Sequence, residues 1–159
     1  MIRRLLIAND NGPASSWSTG AVRYQIGKRT QEGMLVVAVN CRVADIGEAV
    51  SALLDTGAEW SIFGGVLASR LLDQTGSPGD SPVTMSTRLG RIRGKYCEVP
   101  VAFLADDGKP FEVAATVLLA PEWEGPHVLG YRGLLERFRF ALDPGVTDAD
   151  QWMYFGAVG

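Results

Sequence analysis

Asp55 is the residue of this chain best placed to do chemistry. The apolar run Ala52-Leu53-Leu54 delivers its carboxylate into a turn whose next residues are Thr56, Gly57 and Ala58. Residues 50–54 read as a buried strand, and an acid at the end of such a strand sits where water is scarce, so its charged form is disfavoured and responds to its neighbours. A group of that kind serves as an acid or a base. Thr56 can donate its hydroxyl hydrogen and accept a second bond, while Gly57 admits a positive φ and the close approach of other backbone or of a substrate. Together the three residues make a tight loop that holds a carboxylate still. Asp and Gly are also ordinary turn residues, so the tripeptide read alone describes a surface turn equally well.

The remaining candidates for chemistry are fewer. No second Asp-Thr-Gly or Asp-Ser-Gly follows. Asp106-Asp107-Gly108-Lys109-Pro110 reads as a hairpin turn between apolar strands at 100–104 and 111–119. His127 is the single histidine, and beside a loop it reads as a surface or hydrogen-bonded residue, not a ligand. Cys41 and Cys97 have the spacing of neither a zinc site nor a disulfide framework; they are read as reduced and partly buried, able to pair only if the fold joins them. The sequence lacks Gly-x-Ser-x-Gly and His-Glu-x-x-His, so serine and zinc hydrolase chemistry has no visible support, and no metal or cofactor is expected. A net charge of −3 gives no general attraction to nucleic acid or to an anionic membrane, and neither is expected as a partner.

The elements that must position Asp55 are strands. At 159 residues the chain is expected to be one domain, 1–159, with a core large enough to need no metal or disulfide. Residues 1–30 read as an amino-terminal extension or arm and 34–143 as the core. The opening Met1-Ile2-Arg3-Arg4-Leu5-Leu6-Ile7-Ala8 begins like a secretory leader, but its apolar run stops at Asn9-Asp10-Asn11, too soon for such a leader or for a bilayer span. A soluble, cytoplasmic protein is expected. Residues 9–20 are turn-rich and read as a loop or mobile arm, whose Trp17 docks on its own domain or on a partner. Strands are expected at 21–26, 33–43, 48–54 and 59–63, with a turn at Ala44-Asp45-Ile46-Gly47, a short helix at 66–72 and a breaker-rich connection at 74–82.

Beyond that connection, residues 83–86 and 95–104 flank a hairpin at 87–94. Gly90 and Gly94 lie near its tip, and two glycines in a β-ribbon lower its local stability, as a lid requires. Arg88, Arg91, Arg93 and Lys95 form either a solvated rim or a preference for acidic or polar peptides. Residues 131–138 read as a short helix, 137–142 as an alternating strand and 151–158 as an aromatic terminal strand.

Leu53-Leu54-Asp55-Thr56-Gly57-Ala58, followed by Val128-Leu129-Gly130 and then Leu134, resembles the retroviral-type aspartic proteases (retropepsins) and their single-domain bacterial relatives. Gly130 stands 75 residues after Asp55, and the likeness covers roughly residues 34–143. It implies an all-β fold, a closed barrel or acid-protease half with one short C-terminal helix, acting as a homodimer on a peptide or protein substrate. In that family the apolar-apolar-Gly segment packs across the loop carrying the aspartate, the hairpin is a flap over substrate, and terminal strands build the dimer sheet; here either terminus could do so. Its chemistry uses two carboxylates sharing one proton, so a chain with one such loop implies Asp55 from each of two subunits on a twofold axis.

The resemblance assigns Asp55, Thr56 and Gly57 to catalysis. It assigns Ala58 and the flap residues Leu89, Gly90, Arg91 and Ile92 to substrate binding. Glu59, Gly130 and Arg132 become structural support, with Glu59 and Arg132 forming an ion pair that braces the loop. Gly133 departs from the pattern, since the family usually carries a larger apolar residue there. The alternative is a non-catalytic dimerisation or peptide-binding module on the same fold. A plain β-barrel with Asp55 in a solvent turn is a third reading.

Overall fold

The structure is a computed structural model that describes residues 6–9, 12–27, 36–75, 81–87 and 90–159. The expectations for Arg88 and Leu89, for the start of the strand at 33–35 and for the middle of the connection at 76–80 lie outside the described residues.

Six strands close a barrel around the main core. They are β5 (Val37–Val43), β6 (Val50–Leu54), β7 (Ser61–Gly64), β9 (Gly90–Phe103), β11 (Phe111–Ala120) and β12 (His127–Leu129). Their order is β5-β6-β12-β7-β11-β9, and a further pairing of β5 with β9 completes the ring. Alternation explains the outer members: in β5, Val39, Cys41 and Val43 point inward while Asn40 and Arg42 are exposed. The inner members β7 and β12 are short and almost wholly apolar, as strands covered on both faces must be. Helix α1 (Gly65–Thr75) follows β7 directly and packs a stripe of Leu67, Ala68, Leu71 and Leu72 on the core; it runs longer than the 66–72 expected.

Strand β9 changes its buried face along its length. Val99, Val101 and Phe103 enter the main core, whereas Ile92 and Gly94, in the opposite phase, face a second cluster. With β8 (Val83–Thr87) the first half of β9 forms the expected hairpin, paired from Val83↔Gly94 to Thr87↔Gly90. Gly94 owes its place to close packing more than to looseness: a Cβ there would fall within 3.0 Å of the Leu119 carbonyl oxygen.

A four-stranded sheet in the order β10-β3-β14-β13 stacks on the barrel. Its strands are β3 (Gly20–Arg23), β10 (Asp107–Gly108), β13 (Phe138–Asp143) and β14 (Trp152–Ala157). The expected turn at Asp106–Pro110 therefore also supplies an edge strand, pairing Asp107 with Ala21. Phe138 and Phe155 from this sheet meet Phe103 of the barrel at 4.8 and 5.9 Å between ring centroids, so one core runs through both sheets. The C-terminal strand β14 is bonded on both edges, to β3 and to β13, and has no edge left for a dimer sheet. The expectation that either terminus could build one is corrected for this strand.

Three further expectations are corrected. Residues 9–20 are not a loop throughout: β1 (Leu6–Asn9) and β2 (Gly12–Ser16) pair antiparallel, Leu6 opposite Ser16. Backbone pairing does not require apolar side chains, which is why the sequence concealed it. The expected strand at 21–26 breaks at Tyr24, after which β4 (Gln25–Ile26) pairs with β5 instead. The C-terminal helix at 131–138 is a single 3-10 turn, Leu135–Arg137. Leu134 and Leu135 are both buried there, Arg137 donates to the Ala114 carbonyl, and Phe138 already belongs to the next strand, so no room remains for a second turn.

Candidate functional site

Asp55 follows β6 at the point where that strand leaves the barrel. Its amide donates to the Leu129 carbonyl at 3.0 Å, which ties the loop to β12. Its Oδ1 accepts the Gly57 amide at 2.9 Å, and its own carbonyl accepts the Ala58 amide at 3.1 Å. One carboxylate oxygen is thus anchored by the turn that Thr56 and Gly57 make. The side chain is exposed, against the expectation of poor solvation: the buried strand ends at Leu54, and Asp55, Thr56 and Gly57 all ride on the surface of the single chain.

The loop is crossed from behind. Strand β12 runs parallel to β6, with Leu129 opposite Leu54, and antiparallel to β7, with Val128 opposite Ile62. It therefore lies between the two strands that lead into and out of the Asp55 loop. Gly130 ends it in close contact with Trp60 and Ser61, and its amide donates to the buried Ser61 hydroxyl at 2.9 Å. The Tyr131 amide bonds the Ala58 carbonyl at 2.9 Å and the Arg132 amide bonds the Glu59 carbonyl at 2.7 Å. Gly130 and the segment after it thus clasp the aspartate loop through backbone. Gly133 departs from the resemblance for a local reason: its φ is +74° and its Cβ would fall on the Thr116 carbonyl oxygen.

Glu59 and Arg132 do meet, with Oε1 3.5 Å from Nε, but both side chains are 63% exposed. Water screens such a pair, so the backbone bonds do most of the bracing. Glu59→Gln and Arg132→Met are each expected to shift stability by less than about 0.5 kcal/mol, read as a change in urea midpoint. A loss several times larger would show that the pair braces the loop on its own.

The predicted substrate-binding residues divide. Ala58 and Ile92 share one apolar cluster with Ile62, Leu118 and Val128, bordered by Met85, Tyr96 and Trp123. Arg91 points the other way. Alternation puts it with Arg93 and Lys95 on the outer face of the hairpin, which supports the solvated rim over a charged lining beneath the hairpin. Gly90 is exposed at the hairpin end with a φ of +120°. Sequence reasoning missed Tyr96, whose ring lies 4.9 Å from that of Trp60. Burial, followed by the nearby Glu59 charge, raises its phenol above the ordinary value. The spacing of Ile92, Gly94 and Tyr96 was the available signal.

His127 opens β12 half-buried, its Nδ1 accepting the Gly64 amide at 3.3 Å and its ring 5.6 Å from Phe63. Burial lowers its proton affinity below the ordinary value of 6.5. The unfolded chain then binds a proton more readily than the folded one, so this contribution to stability is complete above about pH 6.5 and is lost as pH falls through the lowered value. Urea midpoints measured from pH 8 downward should show that loss in the wild type and lack it in His127→Gln. Cys41 and Cys97 are both free, Cys97 half-buried on β9 and Cys41 buried, where burial pushes its thiol up to about 12.

Among the described residues no three His, Cys, Asp or Glu side chains converge as metal ligands, and no helix is long and apolar enough to cross a membrane. No protein-family model matches the chain, and no curated protein is significantly similar to it.

Proposed function

We propose that this chain is one half of an aspartic endopeptidase, completed when two copies bring their Asp55 carboxylates together. The observation that carries the reading is the Asp55 loop itself: one carboxylate, anchored by the Gly57 amide and clasped through Leu129, presented at the surface of the barrel. Aspartic-protease chemistry needs two carboxylates that share one proton, and each copy of this chain would supply one. The retropepsin resemblance supports the same assignment. In the dimer, one Asp55 takes a proton from a water held between the two, while the other, protonated, polarises the scissile carbonyl; the roles then exchange. Thr56 braces the paired loops and Gly57 admits the substrate backbone. The hairpin at 87–93 covers the peptide, with Ile92 and Ala58 offering apolar contacts. A cytoplasmic location suits the free thiol of Cys41.

The test is a concentration series assayed against a mixed peptide library between pH 4 and about 7, a range that brackets carboxyl titration, with the mass of each sample measured by sedimentation. Cleavage should follow the dimer. When Asp55→Asn subunits are mixed in and allowed to exchange, activity should fall as the square of the wild-type fraction. A stable dimer that never cleaves would make the chain a peptide-binding or dimerisation module, and a monomer without cleavage would leave Asp55 a surface turn residue.

A further inference from the structure

The four-stranded sheet ends in β13, and among the described residues no strand pairs with the outer edge of β13. An edge of this kind is a template for another strand unless a proline, a bulge or an inward charge blunts it, and Phe138-Arg139-Phe140-Ala141-Leu142-Asp143 has no proline and pairs with β14 without a register shift. Beside it runs an open groove of about 380 Å³ lined by Trp17, Tyr131, Leu135 and Phe140, with Glu136 and Arg139 on its walls. Trp17 rests on Ala21, Trp152 and Tyr154 of the four-stranded sheet, docked on its own domain as one of the two sequence expectations had it, and also lines this groove. Tyr131, which lines the groove, is 50% exposed, and its amide donates to the Ala58 carbonyl.

The sequence of β13 is complementary to itself when reversed. In an antiparallel twofold pair, opposed residues lie on the same face and so share parity in sequence number. Centring on Ala141 sets Arg139 against the partner's Asp143 and Phe140 against the partner's Leu142. A slip of two residues either way sets Arg139 against an alanine or beyond the strand, and the charge pairing is gone. Arg139 and Asp143 are both exposed, and among the described residues no carboxylate lies within ion-pair distance of Arg139. Leu142 is 41% exposed.

We infer that a second copy of this chain pairs antiparallel along the outer edge of β13, with Ala141 on the twofold axis and Arg139 facing the partner's Asp143. The inference rests on the dimeric reading above and assigns it a surface. Each copy adds four strands to a continuous sheet, two charge pairs and two Phe140–Leu142 contacts flank the axis, and the aromatic grooves close on each other.

The experiment has two arms, both on the full chain. By sedimentation equilibrium, Arg139→Asp and Asp143→Arg should each raise the dimer dissociation constant about tenfold or more, because each sets like charges opposite one another twice. The double variant should return to within about threefold of wild type, since cross-strand charge pairs work in either direction. In the second arm, Ala141→Cys in a Cys97→Ser background should be joined into a covalent dimer by a short thiol cross-linker that leaves the background protein unjoined. A double variant that folds by circular dichroism but stays dissociated, or a sedimenting dimer that Ala141→Cys cannot cross-link, overturns the inference. Cleavage by a dimer that ignores the charge swap sinks this interface and leaves the protease. A dimer cross-linked through Ala141→Cys that never cleaves does the reverse, and a wild type that is monomeric at every concentration sinks both.

Discussion

Replacing Asp55 by asparagine should lower peptide cleavage by about 10²- to 10⁴-fold, the range over which a positioned acid or base acts. The same variant should melt within about 2 °C of wild type, as surface substitutions of a domain this size usually do. The two outcomes are separable because the amide keeps what holds the loop: an asparagine oxygen can still accept the Gly57 amide in place of Oδ1. The remaining bonds of the turn, from the Asp55 amide to Leu129 and from the Ala58 amide to Asp55, are backbone and do not change. What is lost is the capacity to take and return a proton. Because a dimer loses it on both sides, the variant has no carboxylate left to share. Cleavage at the wild-type rate would remove Asp55 from the chemistry, and collapse of the fold would mean that its charge holds the turn.

Gly130→Ala should be the most destabilising small substitution in the clasp, costing about 3 kcal/mol, at the upper end of what overpacking costs. In a domain of this length that is a drop in melting temperature of about 6–12 °C. The added methyl would fall on the backbone of Trp60 and Ser61, not on a side chain that could swing aside. Strand β12 must then move, and it carries both the Leu129 carbonyl that holds Asp55 and the amide that Ser61 accepts. Cleavage should therefore fall together with stability. Ser61→Ala is the milder companion: it leaves the backbone in place but deprives the buried Gly130 amide of its acceptor, at about 2 kcal/mol. A Gly130→Ala protein with wild-type melting would show that β12 is not pressed on the loop.

The comparison of these two sites shows what the sequence displays and what it hides. Residues 50–54 are legible as a strand because a short run that is apolar except at Ser51, set before an acid and a glycine, has few other uses, and the structure places β6 at Val50–Leu54. The turn at Ala44 was legible too, and Ala44 and Gly47 both adopt positive φ there. Pairings between distant segments were not. Nothing within Gly12–Ser16 announces a strand, because its pairing with Leu6–Asn9 is not written in its own residues. The exposure of Asp55 was misjudged because strand burial was carried one residue too far. Gly94 was read for its freedom, when its neighbour Leu119 leaves it no side-chain space. The flap resemblance groups Arg91 with Ile92, and the strand turns the two side chains to opposite faces.

The position of β14 between β3 and β13 bears on how the molecule comes into being. A chain is made from its amino end, so β3 is finished long before the strand that will lie against it, and the middle of that sheet is the last of its strands to be synthesised. Loops that close over such a span form late and slowly. The barrel strands β5, β6, β7, β9 and β11 precede β12 and can associate first, with the Asp55 loop still unclasped. The sheet that bears the β13 edge follows. Until Trp152–Ala157 has been made, β3 and β13 have no strand between them, so the sheet that carries the β13 edge can assemble only after that strand.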